Sequence, residues 1–193
     1  MNALGFAVFD TALGYCGLAW NARGIVGAQL PDATDGAVRA RLRRQHPDAP
    51  ESEPPPAIQH TIDGVRALLR GELVDLSSVA LDLEGVPDFN RSVYEVVRAI
   101  PPGATLTYGD VAAKLGAREG ARDVGQALGE NPIPIVVPCH RVVAAGGKVG
   151  GFSAKGGAGT KLKLLAAEGR PVDVALPLFD ETWRSERRKM HDR

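Results

Sequence analysis

At 193 residues, 44% of them hydrophobic, the chain is long enough for one large domain or two small ones with a packed core. Its two cysteines, Cys16 and Cys139, form no C-x-x-C pair, which argues against a disulfide framework or a zinc knuckle and points to a reducing, cytoplasmic setting; neither a basic leader nor a bilayer-length apolar run suggests secretion or a membrane. The zero net charge is uneven: residues 1–84 carry 7 Lys and Arg against 11 Asp and Glu, residues 85–175 carry 11 against 8, and the tail 176–193 carries 5 against 4, so a polyanion site would belong to the back half.

The first thirty residues set short apolar runs between glycines and an Asn21-Ala22-Arg23-Gly24 turn, the pattern of a β-hairpin or meander. Residues 35–45 read as a helix stopped at His46-Pro47, residues 51–56 as a stiff proline-rich connector, and residues 57–70 as a second helix ending at Gly71. Residues 79–83 predict one more strand. This closes an α+β unit of about 80 residues, with the domain boundary at 84–88.

Helical patterns follow. Over 89–100 the residues Val93, Val96, Val97 and Ile100 share a face, and Pro101-Pro102-Gly103 stops the helix. Thr107-Tyr108-Gly109-Asp110 predicts a capping box, opening a short helix to Leu115 with Gly116 as its C-cap. A third helix over 118–129 makes a helix-turn-helix-like pair with it. That helix offers Ala121, Val124 and Leu128 for burial, while its second stripe, Arg122, Gly125, Gln126 and Gly129, lacks bulk. A helical glycine costs about 1 kcal/mol relative to alanine, so the stripe implies a close approach to the backbone. One Arg and one Gln on a flat face suit a nucleic-acid groove; a packed neighbouring helix, or Gly129 as a plain C-cap, accounts for the same spacing.

Asn131-Pro132-Ile133-Pro134-Ile135-Val136-Val137-Pro138-Cys139-His140-Arg141 is a proline-fixed loop feeding a short apolar segment. A thiol is a strong nucleophile only as thiolate, and His140 or Arg141 nearby would promote that form. If the segment is a strand, the side chains of 139 and 140 point oppositely, so His140 must act through a water or a turn, and something must orient its ring. An inert buried cysteine fits the same apolar setting. Cys16, His46, His60, His140 and His191 make no standard zinc spacing, and an adjacent Cys-His is not a standard hydrolase signature.

The segments TYGDVAAKLG, ARDVGQALGEN, NPIPIVVPCHRVV, GGFSA and KLKLLAAEG together resemble the C-terminal domain of the O6-alkylguanine-DNA alkyltransferases over about residues 86–170. The resemblance implies an α+β fold. An N-terminal ribonuclease-H-like α/β domain over 1–84 would support a mainly helical winged-helix or helix-turn-helix-like alkyltransferase domain over 85–175, leaving a charged tail at 176–193. It implies a cofactor-free protein that acts on double-stranded DNA containing alkylated guanine; the residues suggest no metal set and no membrane partner, and a monomer is the default expectation. Each molecule would move one alkyl group onto Cys139 after the base flips out of the duplex.

Carried across by position, His140 would be the base, acting through water, and Glu168 would orient its ring. Asn131 would brace the active-site loop and Tyr108 would serve the purine N3. Substrate would be bound by Pro134 and Phe152 in the pocket wall, by the Ser153 amide at O6, and by the Cys139 and Val142 carbonyls at the exocyclic amine. Arg122 would be the finger that fills the vacated space, with Gly125, Gln126 and Arg141 also at the DNA face. Phe152 stands where many relatives carry Tyr, a Gly-rich stretch over 154–159 is extended, and Asp123 and Glu130 put acid beside the expected DNA face. An alkyltransferase-like lesion sensor would lack the thiol that Cys139 supplies; a cysteine hydrolase and a plain DNA-binding module are the readings from other classes.

Overall fold

A computed structural model of the chain describes residues 3–116, 120–152 and 156–169. The front half is built on an antiparallel meander of β1 (Gly5–Thr11), β2 (Gly14–Asn21) and β3 (Gly24–Asp32). The second turn is fixed by Asn21, whose side-chain oxygen accepts from the amides of Arg23 (2.9 Å) and Gly24 (3.2 Å). Gly24 is required there: its φ is 149°, and a Cβ would meet the Ala80 carbonyl oxygen at 2.4 Å.

Side chains alternate across the sheet as the two-residue strand period demands. Phe6, Ala19 and Val26 face α1 (Asp35–Gln45), meeting Val38 and Leu42 in a small core. Phe9, Cys16, Leu18, Trp20 and Ile25 face the other way, toward α2 (Pro56–Arg70). Gly17 keeps the first face thin, since a Cβ there would lie 2.6 Å from Leu42. The strand expected over 79–83 is absent: Leu81 makes only an isolated parallel bridge to Ile25, flanked by Ile25 N–H to Ala80 O and Asp82 N–H to Ile25 O. The Asp82 carboxylate turns away to accept from Asn21 and Arg23, which ends the pairing after one residue.

In the back half α3 (Asp88–Arg98) is followed by β4 (Leu106–Thr107), α4 (Tyr108–Lys114) and α5 (Ala121–Gly129). The capping box is formed, with Thr107 Oγ1 accepting from the Asp110 amide and the Asp110 carboxylate from the Thr107 amide. The larger core runs unbroken from the sheet into this half, through Val93, Tyr94, Val97, Val124 and Val142. The fully buried Tyr94 ties α3 to α5 by donating from its hydroxyl to Ala127 O at 2.9 Å. A parallel pairing of β4 with β5 (Val142–Val143) and the final helix α6 (Gly157–Ala167) complete the described chain. No helix among the described residues is long and apolar enough to cross a membrane.

Candidate active site

The loop between α5 and β5 carries the thiol, and backbone bonds hold it on several sides. The Val137 amide donates to Ile133 O, and the Asn131 side chain donates to Val137 O at 3.0 Å while accepting from the Ile133 amide at 3.0 Å. From the front half, the Ala28 amide of β3 donates to Pro132 O at 2.9 Å. Within this frame Ile135 adopts φ 76°, a left-handed conformation that a β-branched residue takes only where its surroundings impose it.

Cys139, His140 and Arg141 form a single 3-10 turn, closed by the Arg141 amide donating to Pro138 O, rather than the end of a strand. The turn removes the strict opposition of side chains that a strand would impose. All three residues are buried.

Glu168, just past α6, is the hub beneath them. One carboxylate oxygen receives His140 Nε2 at 2.9 Å, and both receive the Arg141 guanidinium at 2.8–3.1 Å; the Gly103 amide adds a further bond at 3.1 Å. Burial alone would raise the Glu168 carboxyl, but the hydrogen bonds from His140 and Arg141, together with the Arg141 charge, outweigh it and hold it at about 2. A carboxylate only accepts, so Nε2 carries the His140 proton and Nδ1 is the basic nitrogen. Nδ1 is buried and has no hydrogen-bond partner among the described residues. Burial also pulls the His140 pKa down, against the influence of Glu168, keeping the ring neutral. Cys139 is raised by burial, which an Asn131 hydrogen bond and the Lys161 charge only partly offset. The resting pair is therefore a thiol beside a neutral imidazole. Cys16, in the sheet, is pushed to about 12 by burial and is inert.

Arg141 lies inside the protein. Its guanidinium is spent on Glu168 and on Ile100 O at 2.5 Å, so the DNA-facing position expected for it is corrected: this side chain braces Glu168. Ser153 and the tail 176–193 lie outside the described residues.

Two clefts meet at Cys139. One, of about 460 Å³, runs toward α4 and α5 between Tyr108, Gly125, Gly129, Gly151 and Phe152. The glycines of the thin α5 stripe thus line the approach to the thiol. Arg122 and Gln126 are exposed on the same helix. The Tyr108 hydroxyl donates to Gly151 O at 3.2 Å, and burial raises its pKa. The other cleft, of about 260 Å³, runs past Pro134 and Asn131 toward β3 and α1. Glu130 is drawn toward α3, accepting from the buried Asn90 side chain at 2.9 Å, whereas Asp123 is exposed.

Lys161 was not visible to sequence reasoning. It is fully buried, its ammonium donating to Val142 O at 2.6 Å and lying over the Tyr108 and Phe152 rings at 5.5 and 5.9 Å. Burial lowers its pKa to about 8, and only a Cys139 thiolate would act to raise it. The available signal was helical phase, since Lys161 precedes Glu168 by two turns and therefore shares its face. Among the described residues no group of three His, Cys, Asp or Glu is placed to hold a metal ion.

Comparison with known proteins agrees with this geometry. A family model described as the DNA-binding domain of 6-O-methylguanine DNA methyltransferase matches residues 88–170. A protein of Methanothermobacter thermautotrophicus named methylated-DNA–protein-cysteine methyltransferase is 43% identical over 119 residues, covering 62% of this chain and 65% of its own. One of the same name from Mycolicibacterium paratuberculosis is 43% identical over 129 residues, covering 67% of this chain and 76% of its own. Among solved structures, that of Mycobacterium tuberculosis OGT in complex with DNA is similar at a TM-score of 0.68 and 34% identity, covering 88% of this chain and 96% of that one. The chain belongs to the methylated-DNA–protein-cysteine methyltransferase family.

Proposed function

We propose that this chain repairs O6-alkylguanine in double-stranded DNA by moving the alkyl group onto Cys139 Sγ, once per molecule and irreversibly. The observation that carries the reading is the buried thiol at the meeting of two clefts, beside a neutral imidazole whose other nitrogen is held by Glu168. Through a water, His140 Nδ1 takes the thiol proton as Sγ attacks the alkyl carbon; the carbon–O6 bond breaks and its electron pair stays on guanine. Tyr108 protonating or hydrogen-bonding N3, with the Ser153 amide at O6, spares guanine from leaving as a bare anion. The Val142 carbonyl already accepts from Lys161, and its second lone pair serves the exocyclic amine. The thioether product has no activated leaving group, so the molecule is used up.

An alkyl group on O6 lies inside the base stack, so the nucleotide must flip. The glycine-lined cleft beside α5 suits a flipped base, and the exposed Arg122 suits the space it vacates. Residues 85–175 form the active domain in this reading, with the ribonuclease-H-like description of 1–84 resting on the β1–β3 meander and its two helices. A monomeric, cytoplasmic protein is part of the same reading, and O4-alkylthymine, with an equivalent alkyl–oxygen bond, is the second base to try.

Mixing the protein with a duplex containing O6-methylguanine should raise its intact mass by one methyl in place of one hydrogen, mapped by peptide analysis to Cys139. Cys139→Ser should show no gain. A methyl group on another residue, or transfer by the serine variant at a near-normal rate, overturns the mechanism.

A further inference from the structure

The cleft that runs from Cys139 toward the front half is far larger than a methyl group requires: its volume is about 260 Å³, against about 30 Å³ for one water in the liquid. Its near wall is formed by Pro134 and Phe152 beside Asn131, whose side chain is already engaged with the Val137 carbonyl and the Ile133 amide. Its far wall belongs to β3 and α1 and carries a polar chain whose direction is fixed by chemistry. Arg41 Nη1 donates to Asp32 at 2.8 Å and Arg41 Nε to Gln29 Oε1 at 2.9 Å; Gln29 Nε2 donates to Gln45 Oε1 at 2.5 Å. A guanidinium only donates, so the Gln29 oxygen must face Arg41 and its amide nitrogen must face Gln45. Gln45 therefore ends the chain with its NH₂ group, and it is exposed while Gln29 is buried. Asp32 balances the Arg41 charge from outside the cleft lining, so the wall presents neutralised donors rather than a bare positive charge.

Resting on the alkyl-transfer reading, we propose that this two-domain cleft is a subsite for the far end of the transferred group, selecting O6-alkyl lesions that carry a hydrogen-bond-accepting oxygen, such as 2-hydroxyethyl, over isosteric hydrocarbon chains. The displacement is unchanged: the Sγ–carbon bond forms, the carbon–O6 bond breaks with its electron pair going to guanine, and the thiol proton goes to His140. What the subsite adds is a place for the chain's terminal oxygen, against Gln45 and Arg41, both before and after transfer. Apolar walls with a few directed polar groups are the usual construction of a small-molecule site, and a site that hydrogen-bonds a substrate oxygen discriminates against the analogue without one.

The experiment compares single-turnover transfer from three duplexes, bearing O6-methyl-, O6-propyl- and O6-(2-hydroxyethyl)guanine, by wild type, Gln45→Leu and Arg41→Leu. Gln45 is exposed, so its variant tests the idea even if loss of Arg41 disturbs the Asp32 pairing. Intrinsic reactivity differs among the lesions, so the readout is the hydroxyethyl-to-propyl ratio relative to wild type. The ratio should fall about three- to tenfold in each variant that folds, the worth of one accessible hydrogen bond. An unchanged ratio in Gln45→Leu overturns the proposal. Equal slowing on all three duplexes also overturns it and assigns the wall to the acceptor oxygens of a DNA phosphate. Failure of wild type to transfer methyl to Cys139 would instead refute the underlying reading, a separate and recognisable result.

Discussion

Glu168 serves two buried partners at once, and this decides what its removal does. In Glu168→Gln the Arg141 guanidinium is left buried without a counter-charge, a loss of about 3–5 kcal/mol for breaking a buried pair on one side. The variant should therefore unfold at lower urea and also transfer more slowly, because one uncharged amide oxygen must then serve His140, Arg141 and the Gly103 amide, which share two carboxylate oxygens in the native protein. Denaturation and single-turnover kinetics read the two effects separately, and an unchanged urea midpoint would remove Arg141 from the account. The same groups set the acid response. His140 is lowered below its ordinary value, so stability falls as the unfolded chain's histidine protonates near pH 6.5, and Glu168, held at about 2, withdraws its share as pH drops from about 4 toward 2. Cys139, His140 and Glu168 were legible because the motif around them is specific. Arg141 was misplaced because adjacency to a DNA-binding motif says nothing about burial, and Lys161 was hidden because a lysine among leucines reads as the solvent edge of a helix.

On α5 the order of charges matters. The helix begins at Ala121, so Arg122 and Asp123 both sit in its first turn, where the macrodipole favours the acid and disfavours the base. A cation in that place gains nothing from its own helix, in keeping with the DNA-contacting role proposed for it. For Asp123 two effects oppose each other: its carboxylate supports the helix by about 0.3–1 kcal/mol and repels a nearby phosphate. Asp123→Ala should therefore lower the thermal midpoint slightly while tightening duplex binding, most clearly at low salt, since screening acts over about 10 Å at 0.1 M. Fluorescence anisotropy at two salt concentrations checks this, and weaker binding at the lower salt would defeat it. Elements of ten or more residues with clear stop signals, such as α1 before His46-Pro47 and α2 before Gly71, and the glycine-punctuated meander could be read from the sequence. The two-residue β4–β5 ladder and the Cys-His-Arg turn could not, because neither is long enough to leave a period.

The turn at 84–88 is where composition places a domain boundary, yet Leu18, Trp20 and Ile25 from one side share a core with Val93, Val124 and Val142 from the other. Spacing along a chain does not report which distant segments meet, so the front half's part in shaping the cleft toward β3 and α1 became visible only in three dimensions. The Ala28 to Pro132 hydrogen bond shows what this implies for the order of folding. It joins segments about a hundred residues apart, and the entropy of closing such a loop must be met before the thiol's frame is complete, whereas α4 and α5 form from neighbours in sequence. Refolding from urea should recover helical circular dichroism first and alkyl-accepting capacity later, in a slower phase. Simultaneous recovery would show that the helices and the thiol's frame form in one cooperative step. Otherwise a newly made chain must pass through an interval in which it is largely helical and cannot yet accept an alkyl group.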